Sequence, residues 1–246
     1  MDNYNNNNYY RQPQTPPPYR PEQAAVQTQT NAVMRKVYVR MFIGLLITAF
    51  CSLGIASSPT LCMALLGNRI VYFGIWIGML IMAFVIPARM NRMSSGAVLG
   101  LFCLFSALMG VQLAPIFLVY HIGTISYVFF ITAGTFGAMS LYGYFTKADL
   151  TKIGTFCLFG VFGLIIASVV NIFVASSAMQ WWISIIGVLL FLGLTAWDTQ
   201  TVKQLARLNT DPALSDKLAT MGAMNLYLDF INLFIFLLRI FGGSRD

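Results

Sequence analysis

From Arg35 onward the chain repeats one pattern seven times: an apolar run near the roughly 20 residues that a helix needs to cross about 30 Å of hydrocarbon, then a short polar break. No other feature narrows the fold as much, because backbone amides in lipid must be satisfied inside a helix or a closed barrel. The runs cover 41–56, 70–88, 97–118, 122–145, 153–174, 181–198 and 222–242. The third and fourth are hard to separate. As one helix, 96–145 would measure about 75 Å at 1.5 Å per residue, so a turn is expected between Pro115 and Gly123. The expected fold is an all-α membrane protein, a bundle of seven transmembrane helices with short antiparallel connections.

With 58% hydrophobic and 9% charged residues, the chain lies far from the quarter charged that soluble proteins carry. Its net charge of +7 suggests nucleic acid only until the basic residues are located. They fall between the apolar runs rather than on one face, so no nucleic-acid partner is expected and membrane lipid is. Cys51, Cys62, Cys103 and Cys157 form no C-x-x-C pair, which supports neither zinc nor a redox motif. We read them as packing residues. Residues 1–33, rich in Asn, Gln and Pro, are expected to form a disordered cytoplasmic tail ahead of the transmembrane domain, 34–246.

Orientation follows from the basic residues. Arg35, Lys36 and Arg40 precede the first run, Arg89 and Arg92 follow the second, Lys147 and Lys152 separate the fourth from the fifth, and Lys203, Arg207 and Lys217 separate the sixth from the seventh. The opposite connections hold only Arg69. This alternation puts the N-terminus in the cytoplasm and makes the chain a multi-pass protein of the inner or plasma membrane if its host is bacterial. A last run that re-enters without crossing is the main alternative. Gly74 with Gly78, and Gly134 with Ala138, are candidates for close helix approach, and His121 is expected at the turn between the third and fourth helices.

Two acids interrupt runs otherwise fit only for lipid: Asp198 closes the sixth and Asp229 sits inside the seventh. An ionised carboxylate at mid-bilayer costs roughly 2.5 to 3.5 kcal/mol even on the lenient insertion scale, so a purely structural pair would be a poor choice. Asn225, Asp229 and Asn232, spaced i, i+4 and i+7, are expected on one face, and Thr195 shares a face with Asp198. Helices running in opposite directions bring the two acids to similar depth, each about 12 to 18 Å from the connecting loop. Two carboxylates in a poorly solvated place cannot easily both ionise, so the pair is expected to hold one proton in common. When ionised it offers the hard oxygens that calcium prefers, transiently, with Asn225 or Asn232 adding neutral oxygen.

The segments Ala196-Trp197-Asp198-Thr199-Gln200 and Asn225-Leu226-Tyr227-Leu228-Asp229-Phe230-Ile231-Asn232-Leu233-Phe234 resemble the closing motifs of the Bax inhibitor-1 family, also called transmembrane BAX inhibitor motif proteins. The resemblance covers 34–242 and implies a bacterial-type member: a seven-helix calcium leak channel whose paired aspartates, here Asp198 and Asp229, sense pH. It further implies an arginine latch at the end of the second helix. Arg89 matches it, and Arg92 stays open because Pro87-Ala88-Arg89-Met90-Asn91-Arg92 departs from a plain basic cluster. Calcium, as permeant or transiently bound ion, enters only through this resemblance; no cofactor is expected. The rivals are a proton-coupled transporter and a membrane scaffold without flux. An intramembrane aspartyl protease would carry Gly-x-Gly-Asp at its second acid, where this chain has Leu226-Tyr227-Leu228 before Asp229, so no enzyme is expected.

Overall fold

The computed structural model describes residues 21–209 and 211–242. Among the described residues nine α-helices follow one another: α1 (Pro21–Ala56), α2 (Pro59–Leu66), α3 (Arg69–Arg89), α4 (Ser95–Leu113), α5 (Ile116–Val119), α6 (Ile122–Phe145), α7 (Thr151–Val174), α8 (Ser177–Leu208) and α9 (Pro212–Phe241). Seven segments, with α4 and α5 counted as one, are long and apolar enough to span a bilayer. The last is long enough to cross fully: 30 residues give about 45 Å.

Local chemistry sets the boundaries. Ser58, Asn68, Ser94, Ser176 and Asp211 each stand just before a helix in extended backbone and accept a backbone N–H of its first turn. This satisfies donors that a helix start leaves unpaired. Pro59 and Pro212 take the first helical position, where no N–H is needed. Pro115 separates α4 from α5, and the chain reverses at Tyr120 and His121, inside the window that the sequence marked. Asp149 caps α7 by accepting from the Thr151 amide and hydroxyl, and the hydroxyl holds its carboxyl below the ordinary Asp range.

Two boundaries differ from the sequence reading. The short α2 was not expected, and α1 begins at Pro21 rather than near Met41. Residues 21–33 therefore extend the first helix and do not belong to a disordered tail; residues 1–20 of that tail lie outside the described residues. Ala and Gln in this stretch favour helix, and tertiary contacts hold it. Thr30, Val33 and Met34 are buried, and Gln29 Nε2 donates to Asn209 O at 2.9 Å.

α9 is the axis of the bundle. It packs against α8, α1, α6 and α4, while α3 leans mainly on α4, and α7 on α8. The outer helices turn Phe84, Phe130, Phe156, Phe159 and Phe173 outward, as lipid permits. Because lipid is as apolar as Leu, contact between spanning helices depends on close fit. Glycine supplies that fit at Gly143 against the Ala196 backbone, Gly187 against the Phe236 ring and Gly222 against Val202. The glycines chosen from sequence do not: among the described residues nothing lies within 4 Å of a side chain added at Gly74, Gly78 or Gly134, and Ala138 is exposed. Their spacing suits helix contact, but those faces point away from neighbours.

Candidate functional site

The close approaches of Val202 to Gly222 and of Gly187 to Phe236 fix the antiparallel register of α8 on α9. Asp198 then stands opposite Leu226, with Asp229 about one turn further along α9. The loop distances expected from sequence need one correction. α9 starts at Pro212 and reaches beyond the end of α8, so Asp229 lies about 25 Å along its helix from the loop, against about 15 Å for Asp198. The overhang of α9 offsets most of the difference and puts the two acids at neighbouring levels of adjoining helices.

Asp229 is 4% exposed, and its Oδ2 has no hydrogen-bond partner among the described residues. Asp198 is half-buried. Neither acid forms an ion pair there: the salt bridges among the described residues run from Lys36 and Arg40 to Asp216. Arg89 and Arg92 are exposed at the end of α3, and the expected bond from Arg89 to Asp198 is not made in this conformation. α3 leans on α4, which keeps its end off the α8/α9 seam. Lys203 is the nearest cation along α8, and it is engaged elsewhere: its Nζ donates to Tyr144 O and sits 4.2 Å from the Tyr144 ring centroid.

The rest of the expected seam divides. At 100° per residue Asn225 and Asn232 fall nearly in line, whereas Asp229 stands about 60° from Asn232, enough to turn it into the core while they face outward. Asn225 is exposed; Asn232 is half-buried and donates its Nδ2 to Leu228 O at 2.8 Å. Thr195 is fully buried but donates to Phe191 O at 2.7 Å on its own helix. The structure thus brings Asp198 and Asp229 together and leaves Asn225, Asn232, Thr195 and Arg89 outside direct contact with them.

Polar contacts that the sequence reading missed are made by the two residues after Asp198 on α8. Tyr38 Oη and Ser140 Oγ lie 2.6 Å apart, and Ser140 Oγ lies 3.0 Å from Thr199 Oγ1, joining α1, α6 and α8 beside Asp198. Gln200 accepts the Leu150 N–H at 3.0 Å and donates to Ala148 O at 2.8 Å, clamping the segment between α6 and α7. Thr199 and Gln200 stand next to Asp198 in the motif, so position alone could have marked them. Tyr38 and Ser140 carry no such signal.

A family model described as "Inhibitor of apoptosis-promoting Bax1" matches residues 30–246. The inner membrane protein YbhL of Escherichia coli strain K12 is 44% identical over 214 residues, covering 86% of this chain and 92% of that protein. An uncharacterized protein of Borreliella burgdorferi is 41% identical over 217 residues, 88% of this chain and 94% of its own length. The protein RP147 of Rickettsia prowazekii is 39% identical over 220 residues, 87% and 90%.

Proposed function

The chain belongs to the Bax inhibitor family of multi-pass membrane proteins, and on that premise we propose that it is a pH-sensitive calcium leak channel whose sensor is the Asp198–Asp229 pair. One observation carries the reading: a nearly inaccessible carboxyl, with one oxygen unpartnered among the described residues, has a second carboxyl beside it. Charge on both at once is costly in a low dielectric, so the pair changes its proton count with the pH that reaches it. On the helices packed against it, α1 carries Tyr38, Lys36 and Arg40, α6 carries Tyr144, α8 carries Lys203, and α9 carries Tyr227 and, towards its start, Asp216, which binds Lys36 and Arg40. None of these is a cation bound to the pair.

With one proton on the pair, the carboxylate that stays ionised supplies hard oxygen to a passing calcium ion, and water and backbone carbonyls complete the six to eight ligands it takes. Closure uses Arg89: α3, which leans mainly on α4, shifts so that the guanidinium reaches Asp198, with Arg92 as the neighbouring candidate. Protonation of the pair removes the attraction and α3 swings aside, so acid opens the route.

Calcium flux from liposomes containing the purified chain tests this. Flux should rise as pH falls, and Asp198→Asn or Asp229→Asn should flatten that dependence. Arg89→Gln should raise flux at neutral pH several-fold. An unchanged pH dependence in both Asn variants removes the sensor, and proton-driven uptake of another solute without calcium flux replaces the channel with a carrier.

A further inference from the structure

Between α3, α4 and α9 lies a cavity of about 420 Å³ that the acid pair does not use, lined by Tyr72, Trp76, Gln112, Tyr120, Asn232 and Arg239 among others. It opens sideways because α3 leans on α4 and does not close onto α9. On α9, the axis of the bundle, Leu228, Asn232, Ile235 and Arg239 form an incompletely buried stripe facing this gap. In a bilayer such a gap is filled.

The polar groups specify what fills it. Gln112 Nε2 donates to Tyr72 O at 3.2 Å, while its Oε1 is buried without a partner among the described residues. Asn232 has likewise used a donor, on Leu228 O. Gln112 therefore presents a buried acceptor with its near donor already engaged, which an occupant with a hydrogen-bond donor satisfies. Arg239 is exposed, lies 5.7 Å from the Phe236 ring centroid and pairs with no acid among the described residues, so the occupant must also carry an anion. An ammonium donor would meet only neutral carbonyls and lose hydration without a counter-charge; a hydroxyl avoids that cost.

Position supplies the remaining constraint. Tyr72 begins α3, Gln112 ends α4, Arg239 ends α9, and Gly242 rests on the Tyr120 ring, so these groups share one end of the bundle. Aromatic and basic residues at a helix end mark headgroup depth. From there Met79, Leu80 and Ala83 carry the groove down into hydrocarbon. A polar mouth above an apolar trench has the shape of an amphiphile. We propose that this groove binds one phospholipid with an anionic phosphate and a hydroxyl-bearing headgroup, its phosphate on Arg239, its hydroxyl on Gln112 and one acyl chain between α3 and α9.

Native mass spectrometry of the full chain in detergent, titrated with phosphatidylglycerol, phosphatidylethanolamine and phosphatidylcholine of equal chain length, tests the site. Phosphatidylglycerol should form a saturable one-to-one adduct. Arg239→Gln should weaken it about tenfold, Ala83→Leu should weaken every lipid by filling the trench, and Arg35→Gln at the opposite end should change neither the affinity nor the stoichiometry. Quenching of Trp76 fluorescence by brominated phosphatidylglycerol, in a chain carrying Trp181→Phe, Trp182→Phe and Trp197→Phe so that Trp76 is the one remaining tryptophan, gives a second readout should Ala83→Leu fold poorly. Equal affinity for phosphatidylethanolamine overturns the headgroup assignment. Competition by glycerol phosphate as strong as that by the lipid overturns the acyl trench, and unchanged binding in Arg239→Gln overturns the site.

Discussion

Tyr227 Oη lies 2.6 Å from Thr48 Oγ1, so the buried axis of the bundle is tied to α1 by a hydroxyl pair two residues from Asp229. Thr48 also donates to Ser106 O at 2.9 Å, which brings in α4, and Phe102 and Phe105 set their edges against the Tyr227 ring. The tyrosine is fully buried. Tyr227→Phe keeps the aromatic contacts and loses the hydroxyl, at a cost of about 0.6 to 1 kcal/mol, the range for hydrogen bonds between membrane helices. Tyr227→Ala opens a cavity and should cost about 3 to 5 kcal/mol. Reversible unfolding in mixed micelles measures both, and equal losses would show that the ring contributes nothing.

Gly143 and Gly134 lie on the same helix and make opposite predictions. A methyl group at Gly143 meets the Ala196 carbonyl, and backbone cannot step aside as a side chain can. Gly143→Ala should push α6 from α8 and destabilise by about 1 to 3 kcal/mol, the usual cost of overpacking. Gly134→Ala meets open space among the described residues and should gain up to about 1 kcal/mol from helix propensity. Melting temperatures of the two variants, measured side by side, should move in opposite directions.

This pair of glycines also shows what the sequence could convey. Hydropathy located every spanning segment, since apolar length is a property of the segment alone, and it placed the reversal between Pro115 and Gly123 correctly. Which face of a helix meets a neighbour depends on the arrangement of all seven, and small-residue spacing occurs on lipid-facing surfaces too. The same limit applies to the polar seam. Asn225, Asp229 and Asn232 share an arc about 60° wide, and only the position of α8 decides that Asp229 turns inward while Asn225 stays exposed. Asp198 and Asp229 were legible because each breaks a run that has no other acid. Asp216 falls between apolar runs and carries no such signal, yet it stands near the start of the axial helix and binds α1.

Gln200 predicts how firmly the segment between α6 and α7 is held. Its side chain satisfies Leu150 N–H and Ala148 O together, and Leu150 is 2% exposed, so water cannot replace the lost bond. Gln200→Leu leaves a buried donor unmet, which costs about 1 to 3 kcal/mol. The loss is local. Hydrogen exchange at 146–150 should quicken well beyond any change in α9, and uniform acceleration would mean that Gln200 supports the bundle as a whole.

Lys36 and Arg40 share Asp216 but should not matter equally. Lys36 reaches the carboxylate by a single 2.9 Å contact from a side chain 53% exposed, a geometry worth little because solvent screens it. Arg40 is 14% exposed, meets the same oxygen at 2.7 Å and also donates to Thr220 Oγ1 at 2.7 Å. Charge-assisted bonds in partial burial are roughly twice as strong as neutral ones, and removing Arg40 leaves a carboxylate that Lys36 only partly compensates. Arg40→Gln should therefore cost about 1 to 2 kcal/mol and Lys36→Gln less than about 0.5. Raising salt from 0.05 to 0.5 M separates the two contributions: screening should erase the Lys36 effect while much of the Arg40 effect survives, because the short bond to the uncharged Thr220 hydroxyl and the packed stem of the side chain depend little on ionic strength.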